Sequence, residues 1–281
     1  VCLMYLNIQN KVSQLISIID FYNFSEDLLY HIFFLHDILS SENSQKLCIS
    51  KRQEVFTKMT IQNPLGYIKG ITFAPFHKRG SLSTQTARDS FDYMIEHTAA
   101  DFVILAPVGL QDHAHSEEIC YTSSATFSDE ELINMIRYAK SKCIRVALKP
   151  TVNCKNGVWR AYISFFEKDV PCEPKWGNWF ASYTEFQTHY AKIAEAEQCD
   201  LFIAGCEMVM TEHRSEEWRN VIAAIRNYYH GPVSYNTDKY QEENVTWWDC
   251  VDMISSSGYY PIDQWEQELD RIEKVVQKFK K

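Results

Sequence analysis

From residue 68 onward, short apolar runs alternate with amphipathic segments, and this rhythm limits the fold more than any single motif does. Six strands are expected at "IKGITFAPF" (68–76), "DFVILAPV" (101–108), "IRVALKPTV" (144–152), "CDLFIAGCE" (199–207), "GPVSYN" (231–236) and "VDMISSSGYY" (251–260). Helical spacing runs through "TARDSFDYMIEHTAA" (86–100), "DEELINMIRYAKSK" (129–142), "SYTEFQTHYAKIAEAE" (182–197), "SEEWRNVIAAIRNYY" (215–229) and "IDQWEQELDRIEKVVQKFKK" (262–281). Ser128 is placed to cap the second of these, and Ser182 with Glu185 predicts a capping box at the start of the third. Strands alternating with helices at this spacing imply parallel βαβ units, and strands apolar throughout imply a sheet covered on both faces.

Two architectures meet that description. A doubly wound sheet carries a glycine-rich phosphate turn after its first strand, but "FAPFHKRGS" has no such pattern. Polar and aromatic residues gather instead just after strand ends: Gln111-Asp112-His113, Asn153, Glu207, Asn236 and Tyr259-Tyr260. Chemistry at the C-terminal ends of many different strands is the habit of the (β/α)8 barrel. The fold class expected is therefore α/β, a (β/α)8 TIM barrel with about six units in this chain. Strands seven and eight are expected beyond Lys281, and the two open edges predict a weakly stable, aggregation-prone chain.

The preceding 58 residues break the rhythm. "VSQLISIIDFYNFSEDLLYHIFFLHDIL" is apolar, but Asp20, Glu26, Asp27 and Asp37 interrupt it before the roughly 18 clean residues of a membrane span. It has neither the charged start nor the cleavage site of a signal peptide. Residues 1–58 are expected to be either an upstream extension not native to the domain or a small helical segment packed on it, and residues 59–281 the domain itself, with Met59 a sensible start.

A net charge of −9 with no basic run argues against nucleic acid as a partner. The nine cysteines are scattered with no C-x-x-C pair, which argues against a zinc or redox motif and for free thiols in a reducing compartment. An aromatic share of 14% points either to a large aromatic core or to a site that grips flat apolar faces such as sugars.

The candidate site residues keep alternatives open. Glu207 ends a buried strand, and its carboxyl serves either in proton transfer or in an ion pair with Lys149 or Arg160. Glu212 reads as a helix N-terminal charge or a support for Glu207 rather than its catalytic partner. Asp112, His113 and His115 could face a metal, but no further ligands accompany them, so sugar hydroxyls or a plain polar loop are preferred. Lys149 and Asn153 could hydrogen-bond a sugar and Trp159 could stack on one; otherwise they are core and ion-pair residues. Lys149 could also serve a different barrel enzyme as a base or Schiff-base amine. Asn236, Tyr259 and Tyr260 are further candidates for substrate contact, whereas Trp247 and Trp248 precede the sixth strand at its far end and read as core.

Four separated motifs agree in order and spacing with one family. "LQDHAHSEEI" (110–119), "LKPTVNCKNGVWRAYI" (148–163), "GCEMVMTEHRSEEWRNVIAAIR" (205–226) and "WWDCVDMISSSGYYPI" (247–262) resemble glycoside hydrolase family 113, over about residues 68–281. The resemblance implies a retaining β-mannanase-like enzyme on a (β/α)8 barrel, in a clan whose acid/base glutamate ends strand four and whose nucleophile ends strand seven. By position Glu207 would be the acid/base, and the nucleophile would lie beyond Lys281. Cys206 departs from the pattern, since clan members commonly carry asparagine or a small polar residue there. The expected function is retaining hydrolysis of a β-1,4-linked, mannan-like carbohydrate, with Asp112, His113, Lys149, Asn153, Trp159, Asn236, Tyr259 and Tyr260 contacting substrate. No cofactor, metal, membrane or obligate protein partner is implied, and a cytoplasmic location is expected. The alternative is a non-catalytic carbohydrate-binding barrel or inactive fragment.

Overall fold

The computed structural model describes residues 6–7, 65–74 and 78–259. The chain divides into two compact units, one of Val1–Tyr5 with Tyr67–Lys281 and one of Leu6–Gly66. In the second unit the only strand among the described residues is Leu6–Asn7. The helical segment expected over 1–58 and the helix expected over 262–281 lie outside the described residues.

The larger unit is built on parallel strands. β1 (Gly70–Phe73), β2 (Phe102–Leu105), β4 (Arg145–Leu148), β6 (Leu201–Cys206), β7 (Val233–Asp238) and β8 (Met253–Ser257) pair in chain order, every pair parallel. The helices α1 (Gln85–Thr98), α2 (Asp129–Ser141), α3 (Trp176–Ala196) and α4 (Ser215–Arg226) return the chain between them. This is the curled sheet of a (β/α) barrel, with six of its strands among the described residues.

Strands two and three run further than their apolar cores. Pro107 and Pro150 have no amide to donate, and the regular ladder breaks beside each. Pairing then resumes as β3 (Val108–Gln111) on β5 (Thr151–Cys154), with Val108 opposite Thr151. Lys149 N donates to Leu105 O (2.9 Å) and Thr151 N to Pro107 O (2.9 Å), so the two strands stay in step across the paired prolines. The extension carries Gln111 and Asn153 past the main sheet.

The helix start expected at Ser182 is corrected: α3 begins at Trp176, and Ser182 lies inside it. The run Trp176, Trp179, Phe180, Tyr183 continues the buried face upstream, and that burial outweighs the local capping pattern. Ser182 Oγ instead accepts from Ile119 N (2.9 Å). The open N-terminus of α3 is served by Glu117, whose Oε1 accepts from Lys175 N (2.5 Å) and Asn178 Nδ2 (2.9 Å). Ser128, by contrast, does cap α2, and Glu131 completes a reciprocal box. The fourth helix stops at Arg226, short of the expected residue 229, and Tyr229 drops into the core to donate to Cys199 O (2.7 Å). No α-helix joins β7 to β8; a short 3-10 turn, Trp248–Cys250, leads to β8.

Among the described residues, a large set of aromatic rings is buried in the core. Trp218 and Trp247 stack at 4.8 Å, Tyr235 lies against both, and Trp179 stacks on Tyr183 at 4.8 Å. Trp247 is fully buried, as the far-end reading of that residue expects.

Candidate active site

Glu207 is presented by an irregular strand end. The β6–β7 register slips between Ile203 and Cys206, where Gly205 takes φ 114° and passes so close to Tyr183 that a Cβ would lie 2.3 Å from its hydroxyl oxygen. Glu207 follows at φ 54°, in the left-handed region that non-glycine residues rarely occupy. Its amide is anchored on Asn236 O (2.8 Å). The chain thus turns out of the sheet at this residue and its carboxyl leaves the strand end, largely but not wholly buried.

Three donors meet that carboxylate. Ser257 Oγ donates to Oε1 (2.6 Å), while Arg160 Nη1 (3.0 Å) and Trp159 Nε1 (3.2 Å) donate to Oε2. Burial pushes the Glu207 carboxyl up, but the hydrogen bonds from Ser257 and Arg160, the Arg160 charge and the Trp159 bond outweigh it and hold the group below its ordinary value. Arg160 is itself fixed, since its Nε donates to Val152 O (3.0 Å) and its Nη2 to Asn153 Oδ1 (3.0 Å). Of the two cations read as ion-pair partners for Glu207, Arg160 makes the contact.

The other candidates are spread over several places. Asn153, Trp159 and Asn236 belong to the assembly around Glu207. Asn236 is buried and its amide donates to Ser257 Oγ (3.0 Å) and Thr237 O (2.8 Å), so it holds the serine that holds the glutamate. Lys149 reaches the buried thiol of Cys206, next to Glu207, where burial pushes the thiol up and the Lys149 charge opposes it. His113 and His115 line a groove of about 480 Å3 with Asn156, Val158, Tyr162 and Ser164. Asp112 is exposed beside it, paired with Lys155 Nζ (2.7 Å). Tyr259 is 60% exposed, and its carbonyl accepts from Lys239 Nζ (3.2 Å). Tyr260 lies outside the described residues. No cluster of three or more histidines, cysteines and carboxylates able to hold a metal occurs among the described residues.

The sequence does not mark Ser257, and it marks Glu212 as a helix N-terminal charge or a support for Glu207 but not as a core residue. Ser257 sits in a run of three serines, and alternation along β8 gives it the same face as Ser255, but nothing local marks that face as the one toward Glu207. Glu212 is 2% exposed with no cation bonded to it; its Oε1 accepts from Tyr235 OH (2.7 Å) and Thr237 Oγ1 (2.8 Å). It precedes α4 by three residues and points into the core rather than serving the helix end.

A parallel barrel sheet with a hydrogen-bonded glutamate at the end of its fourth strand is the arrangement of a barrel enzyme of carboxylate chemistry. The family model for Glycoside Hydrolase Family 113 matches residues 71–281. A solved GH113 beta-1,4-mannanase is 53% identical, with 75% of this chain and 69% of that one covered, at a TM-score of 0.69. The GH113 beta-mannanase AaManA from Alicyclobacillus acidocaldarius, solved in complex with ManMIm, is 39% identical, with 77% and 69% covered, at a TM-score of 0.68. No curated protein matches. The chain belongs to glycoside hydrolase family 113 and is a glycosidase by that membership.

Proposed function

We propose that this protein hydrolyses β-1,4-linked mannan or manno-oligosaccharides with net retention, and that Glu207 is its general acid/base. The observation that carries the reading is the setting of Glu207: fourth strand of the main sheet, left-handed turn, three converging donors. Relatives at 53% and 39% identity, both beta-mannanases, support the choice of polysaccharide. Retaining hydrolysis places two carboxyl groups roughly 5–5.5 Å apart, one to protonate the leaving oxygen and one to attack the anomeric carbon. The clan's nucleophile belongs to a seventh strand, which is not among the six described here.

The donors around Glu207 suit the second half of such a reaction. An ionised carboxylate held by Ser257, Arg160 and Trp159 can take a proton from the water that hydrolyses the glycosyl intermediate. In the first half it must carry the proton, and an ionised nucleophile close by raises its pKa in that state, because two adjacent charges repel. Trp159, partly exposed and packed edge-on against the exposed Tyr162 at 5.9 Å, offers a sugar face beside the carboxyl. Asp112, His113, Lys149 and Tyr259 are further candidates for polar contact with the substrate, and a cytoplasmic location is proposed on the scattered cysteines.

The test is release of reducing ends from β-1,4-mannan, with the anomer formed first followed by NMR. In protein that carries the seventh strand, turnover with retention, abolished in Glu207→Gln, is the expected result. Turnover kept by Glu207→Gln removes Glu207 from the role. Binding of manno-oligosaccharide by both forms, with turnover by neither, identifies a carbohydrate-binding barrel instead.

A further inference from the structure

Beneath the catalytic glutamate lies a second one with no counter-charge. Glu212 Oε1 accepts two hydrogen bonds, from Tyr235 OH (2.7 Å) and Thr237 Oγ1 (2.8 Å), while its buried Oε2 has no partner among the described residues. The same Tyr235 oxygen accepts from Met208 N (3.1 Å), the amide directly after Glu207. A phenol has one hydrogen. Once that hydrogen is committed to Glu212, the oxygen must turn a lone pair toward Met208 N. The other side of the same residue is fixed as well: Met208 O accepts from Thr211 N (2.8 Å) and Thr211 Oγ1 (2.7 Å). Trp218 Nε1 in turn donates to Thr211 O (3.0 Å), and Trp247 Nε1 to Glu212 O (2.9 Å).

We propose that Glu212 is a positioning residue for the acid/base: by orienting the Tyr235 hydroxyl it locks the Met208 amide and so holds Glu207 in the left-handed turn from which its carboxyl reaches Ser257, Arg160 and Trp159. A glutamate at φ 54° reverts to an ordinary conformation unless its neighbours over-determine it. Asn236 O holds the amide before its Cα, and the Tyr235–Glu212 pair holds the amide after it. Both donors address Oε1, which leaves Oε2 to carry a proton when the group is neutral, so the arrangement works in either protonation state. Burial pushes the Glu212 carboxyl up to about 7, opposed by the bonds from Tyr235 and Thr237 and aided by the nearby Asp238 and Glu242. A glutamine at this position presents the same acceptor.

This inference rests on Glu207 as the acid/base, but its test reads Glu207 directly. In protein labelled with 13C at glutamate carboxyls, the Glu207 resonance is assigned by its loss in Glu207→Gln and titrated against pH. Tyr235→Phe, which deletes one oxygen from a ring packed on Trp218 and Trp247, is expected to move the Glu207 midpoint upward, and Glu212→Leu to do the same. Glu212→Gln is expected to restore the native midpoint. In turnover on manno-oligosaccharide, Tyr235→Phe is expected to lower kcat about tenfold with KM little changed, the signature of a misplaced reacting group. An unmoved Glu207 midpoint in a folded Tyr235→Phe protein overturns the proposal. So does a Glu212→Gln protein that behaves like Glu212→Leu, or loss of the fold in both Tyr235→Phe and Glu212→Leu, which would make the pair a core contact only. If Glu207→Gln keeps its turnover, the functional reading fails while the titration still reports what Glu212 holds.

Discussion

The hydroxyl of Ser257 donates to Glu207 Oε1 across 2.6 Å, joining the last described strand to the strand that presents the carboxylate. The two residues are 50 positions apart, and β7 lies between their strands. The hydroxyl therefore spans one full strand, guided by Asn236, whose amide donates to it from β7.

Ser257→Ala removes that donor and leaves Oε1 short of a partner. A hydrogen bond to a charged group contributes about 1.5–3 kcal/mol, so a stability loss toward the lower end of that range is expected in urea unfolding at pH 7. The Glu207 titration is expected to move upward in the same variant. A carboxyl that titrates unchanged would assign its setting to Arg160 and Trp159 alone.

Arg160→Ala takes a donor from three acceptors together: Glu207 Oε2 (which keeps Trp159), Asn153 Oδ1 and Val152 O. Breaking a largely buried pair from one side costs about 3 kcal/mol or more. Because Glu207 titrates below its ordinary value, the pair stabilises the fold above the unfolded-state pKa, and that stability is lost as pH falls through the folded-state pKa. Melting temperature followed from pH 7 down to 3 should therefore decline less in Arg160→Ala than in the native protein. Arg160→Lys keeps the charge without the three-way fork and should recover only part of the loss.

Glu212 works in the opposite sense. Its folded-state pKa is raised from 4.5 to about 7, so the folded protein binds the extra proton and stability falls as pH rises through that window. At about 1.4 kcal/mol per pH unit the whole effect is about 3 kcal/mol. Glu212→Gln cannot ionise, and its stability between pH 4.5 and 8 should be flatter than that of the native protein. Equal slopes for the two proteins would rule out Glu212 as the titrating group.

At Gly205 a methyl group meets both a positive φ and a hydroxyl oxygen 2.3 Å away. Gly205→Ala is expected to cost about 3 kcal/mol, combining backbone strain with overpacking. The double variant Gly205→Ala/Tyr183→Phe removes the nearest atom and should recover part of the loss, as measured by calorimetry. No recovery would place the whole cost in the backbone.

Much of this fold can be read from the chain, and the reasons are local. Runs such as Phe102–Leu105 and Leu201–Cys206 are buried along their whole length, as parallel strands covered on both faces are. Glu207 stood out because an acid directly follows such a run. Apolar content continues through Pro107 and Pro150 and points to strand interior, although both prolines interrupt the ladder. The start of α3 was misplaced for a related reason: Ser182 and Glu185 carry a local signal, whereas Trp176 and Trp179 act through burial against distant partners. Within the site, Glu207 and its ion pair with Arg160 were among the readings of the sequence. Ser257 and the buried setting of Glu212 were not, because each depends on which strands become neighbours and which side faces inward.

The separation of the donors along the chain has a consequence for how the site comes into being. A polypeptide made from its N-terminus has Trp159, Arg160 and Glu207 available while the serine that faces them is still 50 residues from being synthesised. Until β8 docks on β7, the glutamate carries two of its three donors and the edge of β7 beside it stands open. The event that covers that edge also delivers the last hydrogen bond to the carboxylate. A nascent chain in which Glu207 has reached its final titration is therefore one whose sixth strand is already in place.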